Sequence, residues 1–255
     1  MSILKRLFSG GKPKRAPLPA FNAPVLPDEA FFAIGDIHGS HNHLIAALSG
    51  IEEQAKAPTI ICVGDYVDRG EQSADVLRTL KERSDRLGSA FVCLMGNHEQ
   101  MMLKFLDDPE ANGERWLRYG GLQTIASFGV GLGPKRDLVT VRHQLTEAMG
   151  HELTEWLRTL PTQWVSGNVA VVHAGADPLV PIKDQRSAHL LWGHPEFEII
   201  PRNDGVWVVH GHTIVPDPYA EQGRIAIDTG AYATGKLSVA HIFGSEVEFL
   251  RFYPL

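Results

Sequence analysis

Three short strings put carboxylate, imidazole and amide side chains directly after apolar runs. They are "GDIHG" at 35–39 (Asp36, His38), "GDYVDRG" at 64–70 (Asp65, Asp68, Arg69) and "GNHE" at 96–99 (Asn97, His98, Glu99). Two more follow later, "VHAG" at 172–175 (His173) and "VHGHT" at 209–213 (His210, His212). Carboxylates at the mouth of a buried strand cost several kcal/mol unless each finds a partner. In "GDYVDRG" the one local cation is Arg69. A single Asp-x-His after a strand reads most simply as a turn with a surface histidine. Five such deliveries, nearly all bracketed by glycine, do not. Imidazole, carboxylate and amide together suit Zn, Mn or Fe. One aspartate with two oxygens can bridge two metals ~3.5–4 Å apart. The positive charge that Asp65 lacks locally would then be metal.

The elements that must hold these residues are legible from periodicity. "FFAIG" (31–35), "TIICV" (59–63) and "AFVCLM" (90–95) read as buried strands. Between them, apolar residues at 44, 45, 48 and 51, and Val76, Leu77, Leu80 and Leu87, mark helices. Strand–helix alternation with short links predicts βαβ units and a parallel sheet buried on both faces. Ligands of such sheets bind outside the carboxyl ends of the strands, where the motifs fall. From 99 to about 160 the pattern turns helical and predicts an inserted helical region. Strand-like runs return at 168–174, 205–211, 223–228, 236–244 and 246–253, so the second half reads as mainly β.

A chain of 255 residues with 44% hydrophobic and 21% charged residues suits one globular α/β domain. Its net charge of −6 argues against non-specific nucleic-acid binding. The first 27 residues carry +5, from Lys5, Arg6, Lys12, Lys14 and Arg15, and the remaining residues −11. With Gly10, Gly11 and five prolines, residues 1–27 predict a flexible basic arm able to contact an acidic partner or lipid, and 28–255 a single catalytic domain. No secretory signal and no membrane-spanning run is expected. Cys62 and Cys93, both in strand-like runs, predict buried core thiols in a reducing, cytoplasmic setting.

In this order, "GDIHG", "GDYVDRG", "GNHE", "HAG" and "GHT" resemble the PPP family of metal-dependent serine/threonine protein phosphatases, in its bacterial and phage branch. The resemblance covers roughly 31–241. It implies the calcineurin-like metallophosphoesterase fold, an α/β architecture with a β-sandwich core flanked by helices. It also implies two divalent cations, with Mn²⁺ the leading choice and Fe or Zn compatible. Asp36, His38 and Asp65 would hold the first. Asp65, Asn97, His173 and His212, in preference to His210, would hold the second. In-line attack by a metal-bridging hydroxide would be completed by His98 as general acid, oriented by Asp68. Arg69 and Asn97 would bind the substrate phosphate. Arg202 is the position most like the family's second phosphate-binding arginine, with Arg186 its rival, and Tyr232 could touch substrate at the rim.

The implied substrate is phosphoserine or phosphothreonine in a protein or peptide. A diadenosine tetraphosphate hydrolase, or another small-phosphoester phosphatase, is the enzyme alternative; Asp68 and Glu99 favour the protein phosphatase. A non-catalytic phosphoprotein-binding module is the remote alternative, and every ligand and acid position is filled against it. No G-x-G-x-x-G follows the first strand, which excludes a nicotinamide-binding reading. Glu99 is open to a structural or a site role. Trp116, Arg118 and Tyr119 suggest a helix packing its aromatic face on the core, with a substrate-shaping wall as the other reading.

Overall fold

A computed structural model describes residues 20–133 and 137–253. Among the described residues, ten strands form two five-stranded sheets. The first has the order β10-β9-β1-β2-β3, from β1 (Phe31–Ile34), β2 (Thr59–Cys62), β3 (Phe91–Cys93), β9 (Leu237–Phe243) and β10 (Glu246–Phe252). The second has the order β4-β5-β6-β8-β7, from β4 (Gln163–Ser166), β5 (Val169–Val172), β6 (Trp207–His210), β7 (Tyr219–Glu221) and β8 (Arg224–Ala226). β1, β2 and β3 run parallel, as do β5, β6 and β8, while β9, β10, β4 and β7 add antiparallel edges.

The two-residue strand period builds the layers. Phe31, Ala33 and Ile61 point inward and join Val169, Val171, Val209 and Ile225 in a core between the sheets. Phe32, Ile34, Ile60, Cys62 and Phe91 point the other way, into a larger core shared with the helices. The outer face of the second sheet presents Ala170, Val172 and Val208 to Ile182, Leu190 and Phe197. The expected sandwich with flanking helices is therefore present. Cys62 and Cys93 are register partners on β2 and β3, buried and unbridged.

The helices are α1 (His41–Gln54), α2 (Ser73–Leu87), α3 (Asn97–Asp107), α4 (Pro109–Trp116), α5 (Leu122–Ser127), α6 (Leu138–Met149), α7 (His151–Arg158), α8 (Ser187–Trp192) and the single turn α9 (Ala231–Thr234). The run α3–α7 is the predicted helical insert. Its continuity breaks at Leu117–Gly121, a π-helical turn in which Gly120 has φ 109°. No helix among the described residues is long and apolar enough to cross a membrane.

Most of the predicted basic arm, residues 1–19, lies outside the described residues. Its end does not hang free as expected. Val25 is buried, the Phe21 ring sits edge-on to Trp207 at 5.1 Å, and the Asn168 side chain bonds the Leu26 amide (2.7 Å) and the Pro24 carbonyl (2.8 Å). Residues 20–27 are held by the second sheet because every second side chain, Phe21, Ala23, Val25 and Pro27, is wholly or partly buried while Asn22, Pro24 and Leu26 stay exposed.

Candidate active site

The parallel strands of both sheets end at one edge, and the loops leaving them carry the site. Asp36 and His38 follow β1, Asp65 to Arg69 follow β2, and Asn97 and His98 open α3 after β3. His173 follows β5 and His212 follows β6. Five of these residues sit in the left-handed backbone region: His38 (φ 43°), Asp65 (53°), Asp68 (72°), Arg69 (68°) and His212 (64°). Each such residue costs about 1–3 kcal/mol, and strain of this kind collects where function requires a fixed geometry.

Much of the offset comes from Glu99. Its buried carboxylate accepts the amides of Tyr66 (2.7 Å), Asp65 (2.9 Å), Gly96 (3.0 Å) and Val67 (3.2 Å), holding the Asp65 loop against the start of α3. Burial, then the Asp65 charge, push its carboxyl up to about 7. A Cβ at Gly96 would collide with the Asp65 amide and carboxylate, so glycine is required there. Of the two roles left open for Glu99, these contacts are those of a loop clamp.

Asp65 is the hub. Its Oδ2 lies 3.4 Å from His38 Nε2, its Oδ1 lies 3.4 Å from His173 Nε2, and Oδ1 also accepts the His98 amide (3.0 Å). Burial opposes its ionisation most strongly, but His173, His98 and His38 outweigh burial and hold the carboxyl below the usual range. Asn97 Oδ1 is 2.7 Å from His173 Nε2 and 2.9 Å from His212 Nδ1. Asp36 accepts the His212 amide (3.0 Å), and burial, then Asp228 and Asp65, raise its carboxyl. His210 turns away, edge-on to Phe197 at 4.9 Å, and so takes no part.

The imidazole protons test whether a cation fits. His38 Nδ1 donates to the Val67 carbonyl (2.7 Å) and His173 Nδ1 to the Val63 carbonyl (3.1 Å). A neutral imidazole has one proton, so both Nε2 lone pairs then face oxygen acceptors. Second protons would relieve this, but burial drives His38 down to about 3 and His173 to about 4. A divalent cation satisfies the lone pairs and the oxygens together. The donor atoms of Asp65, His173 and His212 lie within 4.8 Å of one another, as do those of His38, Asp65 and His98, while the Asp36 carboxylate stands outside both groups and accepts the His212 amide. Metals fit.

Beside this centre, His98 Nδ1 donates to Asp68 Oδ2 at 2.6 Å. Asp68 is fully buried and also accepts Thr124 Oγ1 (2.7 Å) and the Trp116 indole N–H (3.0 Å). Burial raises the Asp68 carboxyl against these bonds. For His98, burial is the largest influence and lowers it, but Asp65 and Asp68 overcome that and raise it. Arg69 reaches His98 Nε2 (3.3 Å) and the Tyr232 hydroxyl (3.2 Å), with its guanidinium over the Tyr232 ring. Tyr119 stands at the same rim, edge-on to His98 at 6.4 Å.

Arg202 is not brought to this group. It is buried, bonds the carbonyls of Asp177 (2.9 Å) and Val180 (2.9 Å), and pairs with Asp204. With its donors committed to backbone and carboxylate, it braces a loop. Arg186 flanks the start of α8 and is exposed. Trp116 and Thr124 were missed as site partners; Trp116 does lie in the core as expected, yet its indole edge serves Asp68.

The calcineurin-like phosphoesterase family matches residues 30–216. The chain belongs to that family. This calcineurin-like phosphoesterase is similar to the symmetrical bis(5'-nucleosyl)-tetraphosphatase of Aromatoleum aromaticum, at 32% identity over 58% of the chain and 45% of the relative. The chain thus spans less than half of the length of that relative. It is also similar to serine/threonine-protein phosphatase 2 of Escherichia coli, at 28% identity over 81% of the chain and 90% of the relative. In fold it is similar to a putative diadenosine tetraphosphatase, with TM-score 0.61 and 20% identity over 91% of this chain and 99% of that one. The family is one of phosphoester hydrolases, and the His/Asp groups at the strand ends give this chain donors that could hold metal.

Proposed function

We propose that this phosphoesterase removes phosphate from phosphoserine and phosphothreonine in proteins. The observation that supports this reading is the buried Asp68–His98 pair at 2.6 Å beside the metal centre. A serine or threonine alkoxide is a poor leaving group and needs a proton, which a positioned acid supplies at a gain of ~10²–10⁴-fold. The leaving group of a dinucleoside polyphosphate is a phosphate and needs far less help. His98, held by an Asp68 carboxylate that takes donors from α3, α4 and α5, suits the alkyl ester.

Asp36, His38 and Asp65 would hold one cation, and Asp65, Asn97, His173 and His212 another, with Mn²⁺ the leading choice. Bound cations polarise the phosphoryl oxygens and acidify water. Arg69 grips the phosphate with its planar fork, together with the Asn97 amide. In moving to the phosphate, the guanidinium leaves His98 Nε2, a contact that only a neutral ring can accept. The departure frees Nε2 to carry the proton, while Asp68 keeps Nδ1–H and steadies the imidazolium. Nε2 then delivers its proton to the leaving oxygen. Tyr232 and Tyr119 line the rim where the substrate backbone would lie, and Arg202 has no part in phosphate binding.

The alternative, a dinucleoside tetraphosphate hydrolase, draws on the relatives of that name and uses the same metal residues. A side-by-side assay separates them. Metal-stripped protein is given Mn²⁺ or none, with a phosphothreonine peptide and with diadenosine tetraphosphate. Mn²⁺-dependent phosphate release from the peptide in clear preference is expected; cleavage of the dinucleotide alone would overturn the protein-phosphatase reading.

A further inference from the structure

Asp177, His189 and His194 each offer a ligand atom within 4.8 Å of the other two, and all three are half-buried. They come from separate pieces of backbone. Asp177 lies in the loop leaving β5, His189 is on α8, and His194 follows Gly193, whose φ of 82° turns the chain back on the helix. The two imidazoles meet edge to face at 4.7 Å. His194 Nε2 is 3.7 Å from Asp177 Oδ2. We propose that these three residues form a further binding site for a divalent transition metal of the zinc class, separate from the strand-end centre.

Two imidazoles and one carboxylate suit Zn²⁺, with remaining positions for water. The surroundings of Asp177 hold it ready. Its amide donates to Gln185 Oε1 (2.8 Å), and its carbonyl accepts Gln185 Nε2 (2.8 Å) and buried Arg202 (2.9 Å). Its Oδ1 accepts the Leu179 amide (2.9 Å), which leaves Oδ2 to face His194. Outer partners of this sort orient a ligand and sharpen its affinity. They also give Arg202 a purpose outside phosphate binding. One contact runs against the site: His194 Nδ1 accepts the Glu196 amide at 3.3 Å, which places the ring proton on Nε2. Metal binding at Nε2 moves that proton to Nδ1 and gives up one long hydrogen bond, a small loss beside the new ligand bonds. The Ala174 amide already bonds the Leu190 carbonyl (2.7 Å), so a cation here would tie α8 more firmly to the loop that begins at His173.

Zinc itself is the probe. The full-length protein, stripped with chelator, is titrated with Zn²⁺ and its bound metal counted, beside His189→Ala and His194→Ala variants. The wild type is expected to hold one equivalent more than either variant, whatever the total at the strand-end centre. Equal content in wild type and folded variants would overturn the proposal. A measurement on the wild type needs no variant: diethylpyrocarbonate labelling of His189 and His194, read by mass spectrometry, is expected to fall at least tenfold when Zn²⁺ is added. Unchanged labelling at both would leave the trio an ordinary ion-paired cluster and sink the site.

Discussion

His173 has one ring proton and spends it on the Val63 carbonyl, so its other nitrogen meets Asp65 and Asn97 as a bare lone pair. His38 repeats the pattern with Val67. This makes Asp65, which faces both lone pairs, the residue on which metal retention depends most. Asp65→Asn keeps the shape and loses the charge. We expect it to reduce metal affinity by at least the ~10–100-fold that loss of a mere outer partner costs, with activity falling in step. Full metal content after dialysis of the variant would contradict this. Most of this centre was legible in the sequence, because each ligand follows an apolar strand and is flanked by glycine. The fold brings His212 to Asn97 and Asp36 and turns His210 toward Phe197. Arg202 lies apart from this group, and its partners, Asp204 and two loop carbonyls, are set by tertiary folding and leave no local pattern.

At the scale of elements, the helical insert does more than cover the first sheet. Trp116 at the end of α4 and Thr124 on α5 both donate to Asp68, from 48 and 56 residues along the chain. The π-helical turn between them brings Gly120 so close to the Asp68–Arg69 loop that a Cβ there would lie 2.6 Å from the Arg69 amide nitrogen. Trp116→Phe removes the indole donor, and hydrogen bonds to charged groups contribute about 1.5–3 kcal/mol. The expected result is a lower melting temperature. Turnover should also fall more on alkyl phosphates than on p-nitrophenyl phosphate, with KM little changed. Equal losses on both substrates would mean that Trp116 supports the fold alone. Periodicity showed the helices of the insert, but no periodicity reports where an indole N–H will point. The short strands β4 and β7 were missed for a similar reason, since each is an edge strand of three or four residues with little apolar alternation.

For the whole molecule, the two sheets must keep their carboxyl ends level, since ligands come from both. Core packing between Phe31, Ile61, Val171 and Val209 does most of this. Residues 20–27 add a strap along the second sheet, fixed by Asn168, whose side chain bonds Leu26, Pro24 and Gly205. Asn168→Ala leaves those backbone groups without their partner, at a cost of about 1–3 kcal/mol. The melting temperature should fall by roughly 2–4 °C for each kcal/mol lost, with turnover at saturating metal unchanged. An unaltered melting curve would show that the strap contributes nothing to stability. The sequence suggested a free arm here because proline-rich composition predicts missing regular structure, and says nothing about docking.

In the proposed reaction His98 protonates the leaving oxygen. The most direct test of this step compares His98→Ala with wild type on a phosphothreonine peptide and on p-nitrophenyl phosphate, with metal content measured on the same samples. With metal retained, the expected result is a loss of ~10²–10⁴-fold on the peptide and a much smaller loss on the aryl ester, whose leaving group needs little protonation. Equal losses on the two substrates would contradict it.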